Sequence, residues 1–517
     1  MSAPLAAEDL EREGFSTVVV TSADVSGRPV GKRVSTSVFR RLQHEGIALS
    51  SCVLGWDVDQ WPGPVQAYTG HHTGWHDVRL MPDLSTLRPA AWLDRTAIVV
   101  ADFVELGSDD VVDVAPRTIL RRQIERFADR SLRPQVATEL EFAMYRGTYD
   151  DGRRNGFETL EPTTLARADY TIAAGDRFEG FFSSVRDALE RSELHPLTSQ
   201  VEWGLGQWEI NLEHTDALEM ADRHLLFKLA LRAMAEREGM AVTFMAKPFG
   251  DTTGSSCHVH LSIVDGDGRN VFHDADADRG VSGSLRHALG GVLAHASDLM
   301  LFYAPTVNSY RRTTSGEFSG NGISWGFDSR MVSCRVLPEG EHGTRLEWRV
   351  PGADVDPYLA VAGVLASARA GLDEGTDPGE PLEGWDFERE VPPIPATLGD
   401  AVAAFRDSAF VAETFGKEVT AHYAEAGRWE WERFLAPESV TEWERRRYFE
   451  VIWPRRSAPV SSTLDRWTGP ATGGDRDVSE LRRWRRRRRL DDGPRREPLG
   501  SLRRHRRVRD RRRGSGR

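Results

Sequence analysis

His258 and His260 stand two residues apart in Gly-Ser-Ser-Cys-His-Val-His-Leu-Ser, residues 254–262. Alternate side chains of a strand share a face. Ser256, His258, His260 and Ser262 therefore line one side, and Cys257, Val259 and Leu261 the other. A polar row backed by an apolar row is the pattern of a site lining. Glu139 and Glu141 alternate in the same way within Ala-Thr-Glu-Leu-Glu-Phe, as do Arg345, Glu347 and Arg349 within Arg-Leu-Glu-Trp-Arg-Val. Glu202, Gln207 and Glu209 flank a Gly-Leu-Gly bend that lets two carboxylates seven apart converge. Carboxylates outnumber imidazoles here, and oxygen-rich ligation favours a hard divalent ion, Mg or Mn, over zinc or copper. Arginines beside such ions suit phosphate. These residues by themselves point to metal-dependent phosphoryl chemistry. A metallohydrolase also uses His-x-His, but it needs more His or Asp ligands and no second Glu pair.

Strands at 136–142, 207–212, 257–263, 331–337 and 345–350 are expected to carry these motifs. Residues 15–104 alternate short apolar strands with turns, among them 17–21, 97–103 and the turn at Gly27, Arg28 and Pro29. They read as a small β-rich domain. Pro116 opens a helix over 117–128, and Asp222 is read as the cap of a helix that Gly239 stops. Further helices are expected over 286–302, 357–372 and within 398–452, with a Gly-, Pro- and acid-rich surface loop at 373–396. Interleaved strands and helices make the larger part α/β or α+β.

The motif order resembles the glutamine synthetase family over roughly residues 15–452. Asp-Val-Ser-Gly-Arg-Pro-Val-Gly-Lys (24–32) and His-Asp-Val-Arg-Leu-Met-Pro-Asp (76–83) resemble the family's small domain. The Glu-x-Glu, Glu…Gly-Gln-x-Glu, Lys-Pro…Gly-Ser-x-x-His-x-His-x-Ser, Asn-Ser-Tyr-Arg-Arg and Arg-x-Glu-x-Arg segments follow in order. The resemblance implies an α+β fold with a β-grasp-like domain over 15–106 and a catalytic domain over 107–452, after an extension at 1–14. It implies two Mg or Mn ions, one held by Glu141, Glu202 and Glu209 and the other by Glu139, His258 and Glu347. His260, Ser262 and Arg345 match ATP contacts. Gly254, Arg312 and Arg349 match glutamate contacts. Arg330 and Arg335 match arginines near the transferring phosphate, with Arg335 counted to the ATP site and Arg312 and Arg330 to catalysis. Family members assemble as two stacked hexameric rings, so a homo-oligomer is expected.

Two departures bear on the nitrogen donor. Ammonia-using members carry a flap Glu where this chain has Phe318, beside Glu317. They also carry an Asp in a Phe-Asp-Gly-Ser-Ser segment, which here reads Ala-Leu-Ser-Ser-Cys-Val-Leu-Gly-Trp-Asp (48–57). Asp57 and Asp59 are the substitutes within reach, and Phe318 and Asp57 are the candidate amine-pocket residues. The pattern resembles the branch that joins glutamate to organic amines or polyamines through γ-glutamyl phosphate. The alternatives are a glutamine synthetase using ammonia and a catalytically inactive homologue. Thr253, where an Asn often precedes the Gly, leaves a backbone contact intact.

At 517 residues the chain can bury a large core. It has no apolar run long enough to span a membrane and no signal-like start. Its three cysteines, Cys52, Cys257 and Cys334, fit a reducing cytoplasm and no thiolate zinc site. The net charge of −12 averages two parts. Residues 453–517 carry 22 Arg against 8 acidic residues, leaving the rest at −26. So acidic a body argues against a nucleic-acid substrate. The Arg-rich tail, with Arg-Arg-Trp-Arg-Arg-Arg-Arg-Arg at 482–489, is expected to be disordered, or a shifted reading of a GC-rich gene.

Overall fold

A computed structural model describes residues 5–62, 67–314, 322–383, 390–434 and 440–450. The tail at 453–517, Glu317 and Phe318 lie outside the described residues. Two sheets organise the chain, which is α+β as expected. The first runs in the order Pro29–Ser35, Thr17–Ala23, Thr96–Glu105, Asp77–Pro82, Ile47–Ser50, with Arg88–Pro89 added to Thr96–Glu105. Thr17–Ala23 pairs parallel to Thr96–Glu105 and antiparallel to Pro29–Ser35. Thr17–Ala23 and Thr96–Glu105 are rich in Val, Ile and Ala, as a strand buried on both faces requires, and Val18, Val20, Ile98 and Val100 are fully buried.

The second sheet has ten strands, and its spine runs Trp325–Phe327, Cys334–Leu337, Arg345–Trp348, Cys257–Val264, Arg133–Arg146, Gln207–Leu212, Pro196–Val201. Its motif-bearing strands fall where the alternation placed them. One apolar row, including Leu140, Val259, Leu261 and Leu346, packs into a core continuous with that of the first sheet. The helices Pro116–Ala128, Ala217–Arg237 and Pro357–Glu374 cover it. Among the described residues no helix is long and apolar enough to cross a membrane.

Asp222 does not cap a helix. The helix begins earlier, at Ala217, with Asp216 before it, and Asp222 is buried on its second turn. Its carboxylate accepts from Arg117 Nε (3.0 Å) and Nη2 (2.9 Å) and from the Tyr358 hydroxyl (2.7 Å). The same guanidinium donates to Asp102 (2.7 Å) and Asp83 (2.8 Å) at the first sheet. Arg117 thus ties the first sheet to the helix Ala217–Arg237 through one buried fork, the geometry in which arginine is strongest.

The helix expected over 286–302 is two, Gly283–Ala294 and Met300–Tyr303. His295 at the break stacks on Phe410 and bonds Asp298 at 3.0 Å. The expected strand at 331–337 shortens to Cys334–Leu337. Ser333 ahead of it bonds Ser324 through its hydroxyl rather than pairing by backbone alone.

Candidate active site

Strand register decides which side chains meet. Glu141 lies opposite Glu209, Glu139 opposite Asn211 on one side and His258 on the other, and His260 and Arg335 both pair with Glu347. The polar rows of five adjacent strands therefore form one continuous strip. It has two halves of different electrostatic character.

In the first half, Glu139, His258, His260 and Glu347 converge. His258 Nδ1 is 3.0 Å from Glu139 and 3.2 Å from Glu347, and His260 Nε2 lies 3.1 Å from Glu139 Oε1. Ligand atoms of Glu139, His260 and Glu347 lie within 4.8 Å of one another. Arg335 Nη1 reaches Glu347 at 2.9 Å, Arg349 also pairs with Glu347, and Arg345 Nε donates to His260 Nδ1 at 3.2 Å. Burial acts to raise Glu139 and Glu347, but the imidazoles overcome it, helped at Glu347 by Arg349. Glu139 ends well below the ordinary carboxylate range and Glu347 at about 2. Burial, then the Arg349 charge, push His258 down and favour the neutral imidazole that ligates metals.

In the second half, Glu141, Glu202 and Glu209 face one another, and the hydrogen bonds that Glu141 and Glu209 accept come from amide and hydroxyl donors. Glu141 accepts from Ser256 N (2.9 Å), Ser256 Oγ (2.6 Å) and Gln207 Nε2 (2.7 Å). Glu209 accepts from Gln200 (2.7 Å) and Asn211 (2.9 Å). Burial and then the neighbouring carboxylates push Glu202 up to about 8 and Glu209 well above its ordinary value. Carboxylates packed with so little compensating charge are what a divalent cation relieves.

The residues thus fit two hard cations, one in each half. Within the first half His260 Nε2 makes no hydrogen bond despite its burial, so both imidazoles stand as candidate ligands. A bound divalent ion would neutralise charge on a transferring phosphoryl group.

A cleft of about 260 Å³ opens beside this strip and is lined by Glu139, His260, Ser262, Arg345 and Asn211, among others. It holds three of the four side chains matched to ATP, and Arg335 sits against Glu347 nearby. Gly254 has no room for a side chain. A Cβ there would stand 2.6 Å from Arg312 Cγ and 3.0 Å from the Ala246 carbonyl oxygen. Arg312 is buried, and its fork donates to the carbonyls of Val350 (2.8 Å) and Arg349 (2.9 Å). Burial pulls its guanidinium down to about 10, against the opposing pull of Glu141. Arg330 is exposed, and its charge acts on Asp169 and Tyr170, which also feel Glu141 and the pair Glu202 and Glu209 respectively.

Asp57 is not among the carboxylates of this strip. It is buried in its own loop, accepts from the amides of Asp59 (2.9 Å) and Trp61 (3.0 Å), and bonds Trp429 Nε1 (3.1 Å). Arg447 pairs with it at 3.0 Å, with Glu430 at 2.7 Å, and also with Asp59. These interactions make Asp57 a structural anchor, and the cavity it lines is not the nucleotide cleft. Asp59 is held by the same arginine. Arg447→Met would strand the buried Asp57 and Glu430, so it should destabilise the fold by about 3–5 kcal/mol. Urea unfolding of the two proteins measures this, and equal midpoints would show that the network contributes nothing.

Gln200 and Asn211 were not anticipated. Asn211 continues the alternation of Gln207 and Glu209 and was open to the same reasoning. Gln200 comes from a neighbouring strand, and only the pairing of Glu209 with Gln200 brings it in. Asp169 sits on an irregular loop with no period to betray it.

An α+β fold whose sheet presents paired Glu, His and Arg rows is suited to metal-assisted phosphoryl chemistry. The family described as glutamine synthetase, catalytic domain, matches residues 113–448. The gamma-glutamylethanolamide synthetase GlnA4 of Streptomyces coelicolor is 36% identical over 453 residues, covering 86% of this chain and 96% of that protein. The glutamate–isopropylamine ligase of a Pseudomonas species is 31% identical over 447 residues, covering 86% and 97%. The solved GmaS/ADP complex superposes with a TM-score of 0.74 at 28% identity, covering 86% of this chain and 99% of that one. The chain belongs to the glutamine synthetase family and is a ligase of that type, with relatives in the amine-ligase branch.

Proposed function

We propose that this enzyme joins the γ-carboxylate of glutamate to a small organic amine at the expense of ATP. A γ-carboxylate oxygen attacks the γ-phosphorus of ATP, and ADP leaves. The amine nitrogen then attacks the acyl carbon of γ-glutamyl phosphate, phosphate departs and the nitrogen gives up a proton. Glu141, Glu202 and Glu209 would hold the cation on the substrate side. Glu139, His258 and Glu347 would hold the Mg or Mn ion that meets the nucleotide phosphates. His260, Ser262, Arg335 and Arg345 line or border the nucleotide cleft. Arg330 and Arg349 supply positive charge toward the phosphoryl group and the glutamate. Arg312, with both arms on backbone carbonyls, orients the Arg349–Val350 segment. Such preorganised charge is where most catalysis of phosphoryl transfer resides.

The choice of an organic amine rests chiefly on Asp57. Segment 48–57 contains no other carboxylate, and this one is bound to Arg447, Trp429 and two amides. A site lacking that carboxylate is poorly suited to capturing ammonium and taking its proton. The kinship with a gamma-glutamylethanolamide synthetase and a glutamate–isopropylamine ligase supports the same reading. The sheets at 15–106 and 107–452 are taken as the small and catalytic domains of a cytoplasmic homo-oligomer of two stacked hexameric rings.

Phosphate release with glutamate and ATP should be measured across ammonia, short alkylamines, ethanolamine, diamines, polyamines and aromatic amines. At least one organic amine should exceed ammonia by tenfold or more in kcat/KM, equivalent to about 1.4 kcal/mol. Ammonia outrunning every organic amine would overturn the assignment.

A further inference from the structure

A second cavity, of about 80 Å³, lies where the loops around residues 25–26 and 56–58 meet the helices of the C-terminal half. It shares no lining residue with the nucleotide cleft. Its wall is largely apolar and aromatic, with Trp56, Leu301, Phe302, Leu359, Tyr423 and Trp429. Four carboxylates also line it: Asp57 and Glu430, both paired with Arg447, and Asp354 and Asp356, which are only 7% and 4% exposed.

Asp354 and Asp356 are each half used. Asp354 Oδ2 accepts from Thr306 (2.8 Å) and Ser309 (2.7 Å), while its buried Oδ1 has no hydrogen-bond partner. Asp356 Oδ1 caps the Pro357–Glu374 helix through the amides of Tyr358 (2.8 Å) and Leu359 (3.1 Å), while its buried Oδ2 has none. The nearby cations make their hydrogen bonds elsewhere, although the Lys228 charge is felt by both aspartates. Arg447 serves Asp57, Asp59 and Glu430, and Arg28 is held by Asp24. Lys228 donates to the carbonyls of Ala353 (2.9 Å) and Val355 (3.1 Å). Gly27, at φ +74°, packs its backbone against Asp356, where a Cβ would stand 2.8 Å from the aspartate Cα.

Buried carboxylate oxygens without partners are costly, and the lining selects what would satisfy them. A hard metal ion takes six or more oxygens, whereas this wall offers two unpaired carboxylate oxygens amid carbon. Aromatic and aliphatic surroundings with a carboxylate pair suit a cation that carries its own apolar body. The space is that of about three water molecules, enough for a short alkylammonium and too small for a polyamine. We propose that this cavity is a second, non-catalytic binding site for a small primary ammonium ion. The ion class follows from the cavity wall and is independent of the amine consumed in the reaction. Occupancy would act on two catalytic segments. Ser309, held by Asp354, lies three residues before Arg312, and both aspartates follow the strand that carries Glu347.

Crystals of the full chain soaked in isopropylammonium chloride, without ATP or glutamate, should show the ion between Asp354 and Asp356. Calorimetric titration of the same protein should show affinity falling at least tenfold in Asp356→Asn, with isopropanol not binding. Asn caps a helix as well as Asp does, so the variant should retain its fold and basal activity. Should it fail to fold, the soak of the unaltered protein decides alone. Ordered water as the sole occupant, or equal affinity in a folded Asp356→Asn, would overturn the proposal.

Discussion

Glu141→Ala should lower amine-dependent phosphate release by about a thousandfold or more while leaving the metal-free protein as stable as before, or more so. The activity loss follows from removing one carboxylate of a proposed cation site. Metal charge stabilisation amounts to several kcal/mol, and about 4 kcal/mol is a thousandfold in rate. The stability follows from electrostatics. Glu141 is the strongest of the neighbouring charges that raise Glu202 and one of those that raise Glu209, so its removal relieves repulsion. It leaves Ser256 and Gln207 to find new partners, a smaller cost. Phosphate release and thermal melts in chelator measure both quantities. A large drop in melting temperature with activity recovered on cooling would make Glu141 a structural residue. The corresponding change at His258 should act in the same direction on activity.

Without divalent ions the protein should lose stability as pH rises from about 5 to 8, and Mg or Mn should restore it most strongly at the alkaline end. Glu202 titrates at about 8 in the folded chain, against about 4.5 unfolded. Below both values each state holds the proton and nothing changes. Between them the folded state keeps a proton that the unfolded chain has released, so stability falls with pH. The loss is on the order of a few kcal/mol across that window. A cation replaces that proton, so its stabilising effect grows with pH until the group is ionised in both states. Glu347, held at about 2, acts in the opposite sense and elsewhere. Its contribution is present above about 4.5 and is lost as pH falls toward 2. Melting temperatures in chelator and in manganese at pH 5.5, 7 and 8.5 provide the test. An equal metal-induced shift at pH 5.5 and 8.5 would count against a cation at Glu202 and Glu209.

Period-two alternation made the catalytic strip legible in the sequence. It fixed that Glu139 and Glu141, His258 and His260, and Arg345, Glu347 and Arg349 share faces, because a strand leaves successive side chains no other choice. The motif order carried the family, and the apolar rows behind the polar ones marked the core. Helix ends were less legible. Asp222 reads as a cap locally, yet its partners Arg117 and Tyr358 lie 105 residues before it and 136 after it. Only packing shows that it is a buried anchor. At the break, His295 likewise stacks on Phe410, far along the chain.

Tertiary structure alone decided how the charges divide. Among glutamates of one type, Glu139 and Glu347 are held low by imidazoles and arginines, while Glu202 and Glu209 are raised by burial and repulsion from neighbouring carboxylates. That division depends on strand register and on which arginines reach across, neither of which local spacing encodes. The fate of Asp57 was decided in the same way. The sequence shows a carboxylate near the right place, and only the arrival of Trp429 and Arg447 from the far end of the chain ties it into a buried ion-pair network. Local spacing determines which side chains share a face, because backbone geometry is local. What a charged group does depends on the charges brought near it, and long-range packing sets those.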